Sequence, residues 1–156
     1  MEHKTNALRM LDQKKIPHEV LDCAITEAVS GVEMAQKLGV NPDTVFKTLV
    51  TVGKSGAHYV FMIPVAAELD LKKAAAQVGE KSVAMIKSKE LLPTTGYVHG
   101  GCSPIGMKKV FRTTIDSSAK NFDEILFSAG RIGVQIKAPA SVVEKFAKTT
   151  YADLTV

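Results

Sequence analysis

A lysine stands inside an apolar run, Val45-Phe46-Lys47-Thr48-Leu49-Val50. The run reads as an interior strand, so Val45, Lys47 and Leu49 share one face and Phe46, Thr48 and Val50 the other. Desolvating an ammonium is unfavourable unless a counter-charge or an acceptor compensates. Lys47 therefore either snorkels past the edge of the strand or lines a pocket. Other sources of chemistry are sparse. His3, His18, His58 and His99 stand alone, with no HxxxH or HxH pair, and Cys23 and Cys102 form no CxxC. These residues make no metal site, and no cofactor is expected. No P-loop or GxGxxG is present. Gly101-Cys102-Ser103-Pro104-Ile105 resembles a nucleophile elbow but lacks its final glycine, and Pro104 has no N–H to serve an oxyanion. Ser103 is thus a poor nucleophile. Cys102 lies in a glycine-rich loop with no base beside it, which favours a small buried residue over a thiol nucleophile. The glycines have another use, since Gly100 and Gly101 let backbone approach a ligand closely. Ser128-Ala129-Gly130 offers a similar small, polar strand end. Both segments are either turns set by local dihedrals or walls of a small pocket for a ligand bearing phosphate or carbonyl groups.

The elements that must position these residues follow from periodicity and punctuation. A first helix spans 5–15 and stops before Pro17. A short strand covers 18–21. Ser30 and Glu33 have capping-box spacing and open a second helix that ends at Gly39. The Lys47 strand runs to about Val52, turns through Gly53-Lys54-Ser55-Gly56 and returns as 57–63, the clearest hairpin in the chain. Both of its strands are apolar on both faces, so each face needs cover. Asp70 caps a third helix ending at Gly79. A short strand covers 82–86, and 88–92 is one helical turn closed by Pro93. A long loop fills 94–106. Strands are expected at 110–115 and 124–128, then a turn at 129–133 and a last strand at 134–137. Ser141 and Glu144 have capping-box spacing and open a final helix through about Lys148. Interspersed strands and helices with hairpins describe an α+β fold, a single domain over 1–156 with a mixed, curled, barrel-like sheet flanked by helices.

Composition agrees. The chain has 156 residues, 46% hydrophobic and 23% charged, which describes an ordinary globule able to bury a core without staples. Two distant cysteines and a polar start, Met1 to Asn6, point to a reducing cytoplasm, and no apolar run approaches a membrane span. The net charge of +4 comes mostly from lysines, in pairs such as Lys14-Lys15, Lys72-Lys73 and Lys108-Lys109. That balance fits either a solvated basic surface or phosphate contacts to a nucleic acid.

Several stretches together resemble the YbaK/EbsC family of aminoacyl-tRNA deacylases, relatives of the editing domain of some prolyl-tRNA synthetases. They are Val45-Phe46-Lys47-Thr48-Leu49, Pro64-Val65 with Glu68-Leu69-Asp70-Leu71-Lys72-Lys73, Thr95-Gly96-Tyr97, the segment from Gly100 to Lys109, Ile115-Asp116, and Ser128-Ala129-Gly130. Their order and spacing run through nearly the whole chain. The resemblance implies an α+β fold with a mixed, barrel-like sheet. It also implies hydrolysis of the ester in cysteinyl-tRNA(Pro), and of cysteinyl-tRNA(Cys) as a further substrate. The partners implied are the tRNA(Pro) acceptor end and prolyl-tRNA synthetase. The family's lysine falls on Lys47, which would orient the ester and the terminal phosphate or ribose. The remaining substrate contacts would fall on Thr48, Gly100, Gly101, Ser103, Pro104, Ser128 and Gly130, with Gly101 at the carbonyl and Ser103 and Ser128 as polar wall groups. The implied mechanism borrows the nucleophile: the substrate's own thiol attacks its ester carbonyl and leaves a thiolactone. This suits a chain with no evident nucleophile, base or metal. The resemblance departs at 22–29, a shorter segment with Cys23 near an expected aromatic, and at Cys102, where relatives are commonly apolar. The alternative function is a non-catalytic module that binds tRNA or a synthetase.

Overall fold

The computed structural model describes residues 5–156, so His3 and most of the polar start lie outside it. Four α-helices, eight strands and three short 3₁₀ turns alternate among the described residues. Helix α1 (Asn6–Gln13) is capped by Thr5, whose side chain accepts from the Leu8 N–H. Strand β1 (Glu19–Asp22) follows. Helix α2 (Gly31–Leu38) begins as its spacing predicts: the Ser30 hydroxyl accepts from the Glu33 N–H at 3.2 Å, and Gly39 ends the helix in the left-handed region. The central hairpin is β2 (Phe46–Gly53) against β3 (His58–Pro64), with Lys47 opposite Ile63. Asp70 caps α3 (Leu71–Val78) by accepting from the N–H groups of Lys72 and Lys73.

Strand β4 (Val83–Met85) pairs with β2 only over Thr51–Gly53. The remaining elements are α4 (Ser88–Thr95), β5 (Thr113–Asp116), β6 (Ile125–Arg131), β7 (Val134–Ala138) and β8 (Thr149–Ala152).

Two sheets form. The larger has the order β4-β2-β3-β5-β8 and is mixed, since β3, β5 and β8 run parallel while the hairpin and β4 are antiparallel. The smaller is antiparallel, β1-β7-β6. They meet at one parallel bridge, Val45 to Leu126, so the sheet curls without closing into a barrel.

Buried side chains divide into clusters that explain why the hairpin is apolar on both faces. Phe61 and Ile63 of β3 pack under α3 with Ala74, Ala75 and Val78. Phe46 and Met62 lie in the core between the sheets with Ile115, Phe127 and Ile136, closed by α1. Helix α2 covers the seam through Ala35, against Val45, Val65 and Leu126. Leu91 of α4 and Tyr97 pack on Val50 and Val60.

Four expectations are corrected. The turn at Ser88 does not close at Pro93. Helix α4 continues to Thr95 with Pro93 inside it. Pro93 and Lys89 are both exposed, so water can reach the Lys89 carbonyl that the proline leaves unbonded. The final helix is a 3₁₀ turn at Ala140–Lys145, without a side-chain cap at its start. The Glu144 carboxylate accepts from the Tyr151 hydroxyl at 2.9 Å, so the capping-box pair does not form as spaced. Strand β7 is then not the last, because β8 adds to the edge of β5. Finally, the strand expected from Val110 starts at Thr113; Val110 is 72% exposed, so no burial holds it in a sheet.

Candidate functional site

Beyond the Val45–Leu126 bridge the two sheets part, and the gap is a cavity of about 430 Å³. One wall is the length of β2 from Val45 to Val50. Facing it are Ser128 of β6 and Gln135 of β7, which are direct partners in register. The start of α2 (Val29 to Gly31, with Met34), Val65, the four residues Met85, Ile86, Ser88 and Leu91 leading into α4, and the loop residues His99, Gly100 and Cys102 complete the lining.

Lys47 is half-buried on this wall. No Asp or Glu lines the cavity, and among the described residues Lys47 has no ion pair. The cavity therefore has one cationic side chain and no carboxylate. An uncompensated ammonium in a partly desolvated site favours an anion or a developing negative charge. Thr48 adds more. The pairs Val45–Val65 and Gly53–Ala57 bond to β3 through their main chains, N to O at 2.9 and 2.8 Å. By alternation, Lys47 and Leu49 bond to β3 and Thr48 turns its N–H and C=O outward. On that side β4 reaches only Thr51 to Gly53. The Thr48 side-chain oxygen is also buried without a partner.

Gly100 and Ser128 join Lys47 and Thr48 in the wall. Gly101, Ser103, Pro104 and Gly130 do not line it. Gly101 packs where a Cβ would come within 3.0 Å of the Ile132 nitrogen, so it docks the loop on the β6–β7 turn. Ser103 is fully buried, and its hydroxyl accepts from the Ile105 N–H at 3.3 Å. Pro104 is buried and faces away, into a minor crevice. Gly130 sits at a bulge with φ +97° and donates its N–H to the Ser128 hydroxyl at 3.1 Å, which fixes that side chain's orientation.

Two sulfurs add to the wall. Burial pushes the Cys102 thiol up to about 12, with the Thr95 hydroxyl acting weakly against it. A thiol held neutral in this way is a poor nucleophile. Cys102→Ala is expected to keep wild-type turnover to within an order of magnitude in any reaction run in this cavity, whereas loss of a true nucleophile typically lowers kcat roughly a millionfold. Met34 is buried, and its sulfur lies 3.2 Å from that of Cys23, just behind the wall. His99 is exposed and makes no hydrogen bond, so nothing fixes its tautomer. Among the described residues, no group of three or more His, Cys, Asp or Glu is placed to hold a metal ion. No described helix is long and apolar enough to cross a membrane.

Gln135 and Met34 were not candidates from the sequence. Gln135 stands between two core residues, Val134 and Ile136, and reads as an outward surface position. Only the second sheet meeting the first encloses it. Met34 reads as an ordinary helix-face residue.

Comparison with known proteins gives a consistent setting. Residues 26–145 match the aminoacyl-tRNA editing domain. An Enterococcus faecalis protein, provisionally named a Cys-tRNA(Pro)/Cys-tRNA(Cys) deacylase, EbsC, is 42% identical over 155 residues, 99% of this chain and 94% of its own. Among solved structures, one described as a candidate trans-editing enzyme for prolyl-tRNA synthetase superposes with a TM-score of 0.85 at 23% identity, over 99% of both chains. Another, described as hypothetical protein APE2540, gives 0.83 at 20% identity over 97% of this chain and all of its own. At those identities the superpositions speak for the fold.

Proposed function

The chain belongs to the aminoacyl-tRNA editing domain family, and from that premise we propose that it is a deacylase that cleaves mischarged Cys-tRNA(Pro) in trans, with Cys-tRNA(Cys) as a second substrate. The observation that carries this reading is a cavity with a single cation, Lys47, no carboxylate, and no activated nucleophile of its own. Its volume lies in the range of small-molecule sites and suits an aminoacyl ester.

In the proposed step the substrate's thiol sulfur bonds to its own ester carbonyl carbon. The bond from that carbon to the ribose oxygen breaks, the thiol proton ends on the ribose oxygen, and a thiolactone leaves for hydrolysis in water. The protein's contribution is position and charge. The Lys47 ammonium and the outward Thr48 N–H stabilise the negative charge that develops on sulfur and on the carbonyl oxygen. Gly100 lets the terminal ribose pass close to the main chain, and the Ser128 hydroxyl, held by the Gly130 N–H, presents its own proton to the ester. Ser103, Pro104 and Gly101 act behind this surface, keeping the loop in place. We place the reaction in the cytoplasm, with prolyl-tRNA synthetase as the partner that directs it to tRNA(Pro).

The test is release of labelled amino acid from Cys-, Ala-, Ser- and Pro-tRNA(Pro). Fast loss of cysteine with little loss of alanine, which lacks a thiol, is the expected result. Equal rates for cysteine and alanine would remove substrate-thiol attack. No acceleration of any ester above buffer, with saturable tRNA binding, would leave a binding module instead.

A further inference from the structure

Four buried side-chain polar atoms lack a hydrogen-bond partner among the described residues, and two of them, Thr48 Oγ1 and Gln135 Oε1, belong to residues that line this cavity. A buried acceptor left unmade costs about 1–3 kcal/mol, so its presence in a well-packed wall calls for a donor. Gln135 is 94% buried by its 6% exposure, and Oε1 can only accept. The cavity's other polar side chains do not supply the donor, since no side-chain hydrogen bond joins Gln135 to Ser128, its neighbour in register.

We infer that Gln135 is the binding residue for the α-amino group of the aminoacyl ester, which donates to Gln135 Oε1. This rests on the deacylase reading above. Of the groups near an aminoacyl ester, the α-amino group is the strongest donor and the one the rest of the cavity leaves unserved. No carboxylate lines the wall to pair with an α-ammonium, and Lys47 repels it. The substrate's amino group must then sit away from Lys47, on the wall formed by the other sheet, where Gln135 is the one carboxamide. A neutral acceptor binds both the ammonium and the free amine. The ester is thereby turned so that its carbonyl faces Lys47 and Thr48.

The probe is tRNA(Pro) charged with 3-mercaptopropionate, which keeps the ester and the thiol and lacks the amino group. Wild type is expected to favour Cys-tRNA(Pro) over this ester by roughly 10- to 100-fold in kcat/KM, the usual effect of a hydrogen bond to a charged group. In Gln135→Leu that ratio falls toward one. Gln135→Glu, which restores an acceptor and adds a charge, keeps the preference. Gln135→Met answers the same question if the leucine variant does not fold. Equal losses on both esters in Gln135→Leu would mean a structural role and overturn the inference, as would wild type that cleaves both esters equally; either result leaves the deacylase reading standing. Wild type that cleaves neither overturns both.

Discussion

Lys47→Ala is expected to lower kcat/KM for Cys-tRNA(Pro) by about 100- to 1000-fold while the protein stays folded, the typical effect of removing one group aimed at developing charge. Folding should survive because Lys47 is half-buried and, among the described residues, its side chain has no ion pair or hydrogen bond to lose. The paired β2–β3 backbone, with Lys47 opposite Ile63, holds the strand whatever side chain it carries. Lys47→Met separates charge from stem. If the ammonium is what acts, the methionine variant falls as far as alanine. If the aliphatic stem merely shapes the wall, methionine keeps most of the rate. Lys47→Arg is expected to be impaired as well, because a planar fork replaces a point charge. Single-turnover rates with melting curves on the same samples decide among these. Full activity in Lys47→Ala would end the role assigned to this residue.

Gly130→Ala is expected to destabilise the protein by about 3 kcal/mol, a fall in Tm of roughly 6–12 °C for a chain of this length. Two effects combine. Gly130 has φ +97°, where an L side chain is strained. An added Cβ would also lie 2.6 Å from the Tyr97 ring. Tyr97 cannot swing aside freely, since it is buried and its hydroxyl donates to the Ile105 carbonyl at 2.7 Å. Gly56→Ala is the matched control: φ is +92° there, with nothing within 4 Å of the added carbon. The difference between the two variants isolates the contact with Tyr97. Calorimetry showing equal shifts would mean that the ring relaxes. Because the Gly130 N–H also orients Ser128, some loss of deacylation should accompany the lower Tm.

Much of this arrangement was legible in the chain wherever a local signal fixes the geometry. Ser30 and Asp70 cap the helices that follow them, and the hairpin around Gly53 to Gly56 has the register expected of two apolar strands. Lys47 announced itself because a cation is conspicuous among Phe46, Leu49 and Val50. Legibility ended where partners decide. Strand β8 is half-buried throughout and carries no alternation, so only the exposed edge of β5 defines it. Ser141 and Glu144 have the spacing of a cap, but Val142 and Val143 are both buried, and Tyr151 takes the carboxylate. In sequence the glycine loop reads as one recognition surface. The structure divides it, with Gly100 and Cys102 in the wall and Gly101, Ser103 and Pro104 behind it. Adjacent residues in an irregular loop point in directions that no period predicts.

The single bridge between Val45 and Leu126 has a consequence for how such a site can change. Lys47 and Thr48 belong to one sheet, Ser128 and Gln135 to the other, and little backbone is shared between them. On the mechanism we propose, substitutions on the small sheet can reshape what is admitted without disturbing Lys47 on the other. In the proposed mechanism the seam divides labour: one side carries the charge that acts on the ester and the other holds and orients the guest, so new specificities are reachable by drift on one side alone.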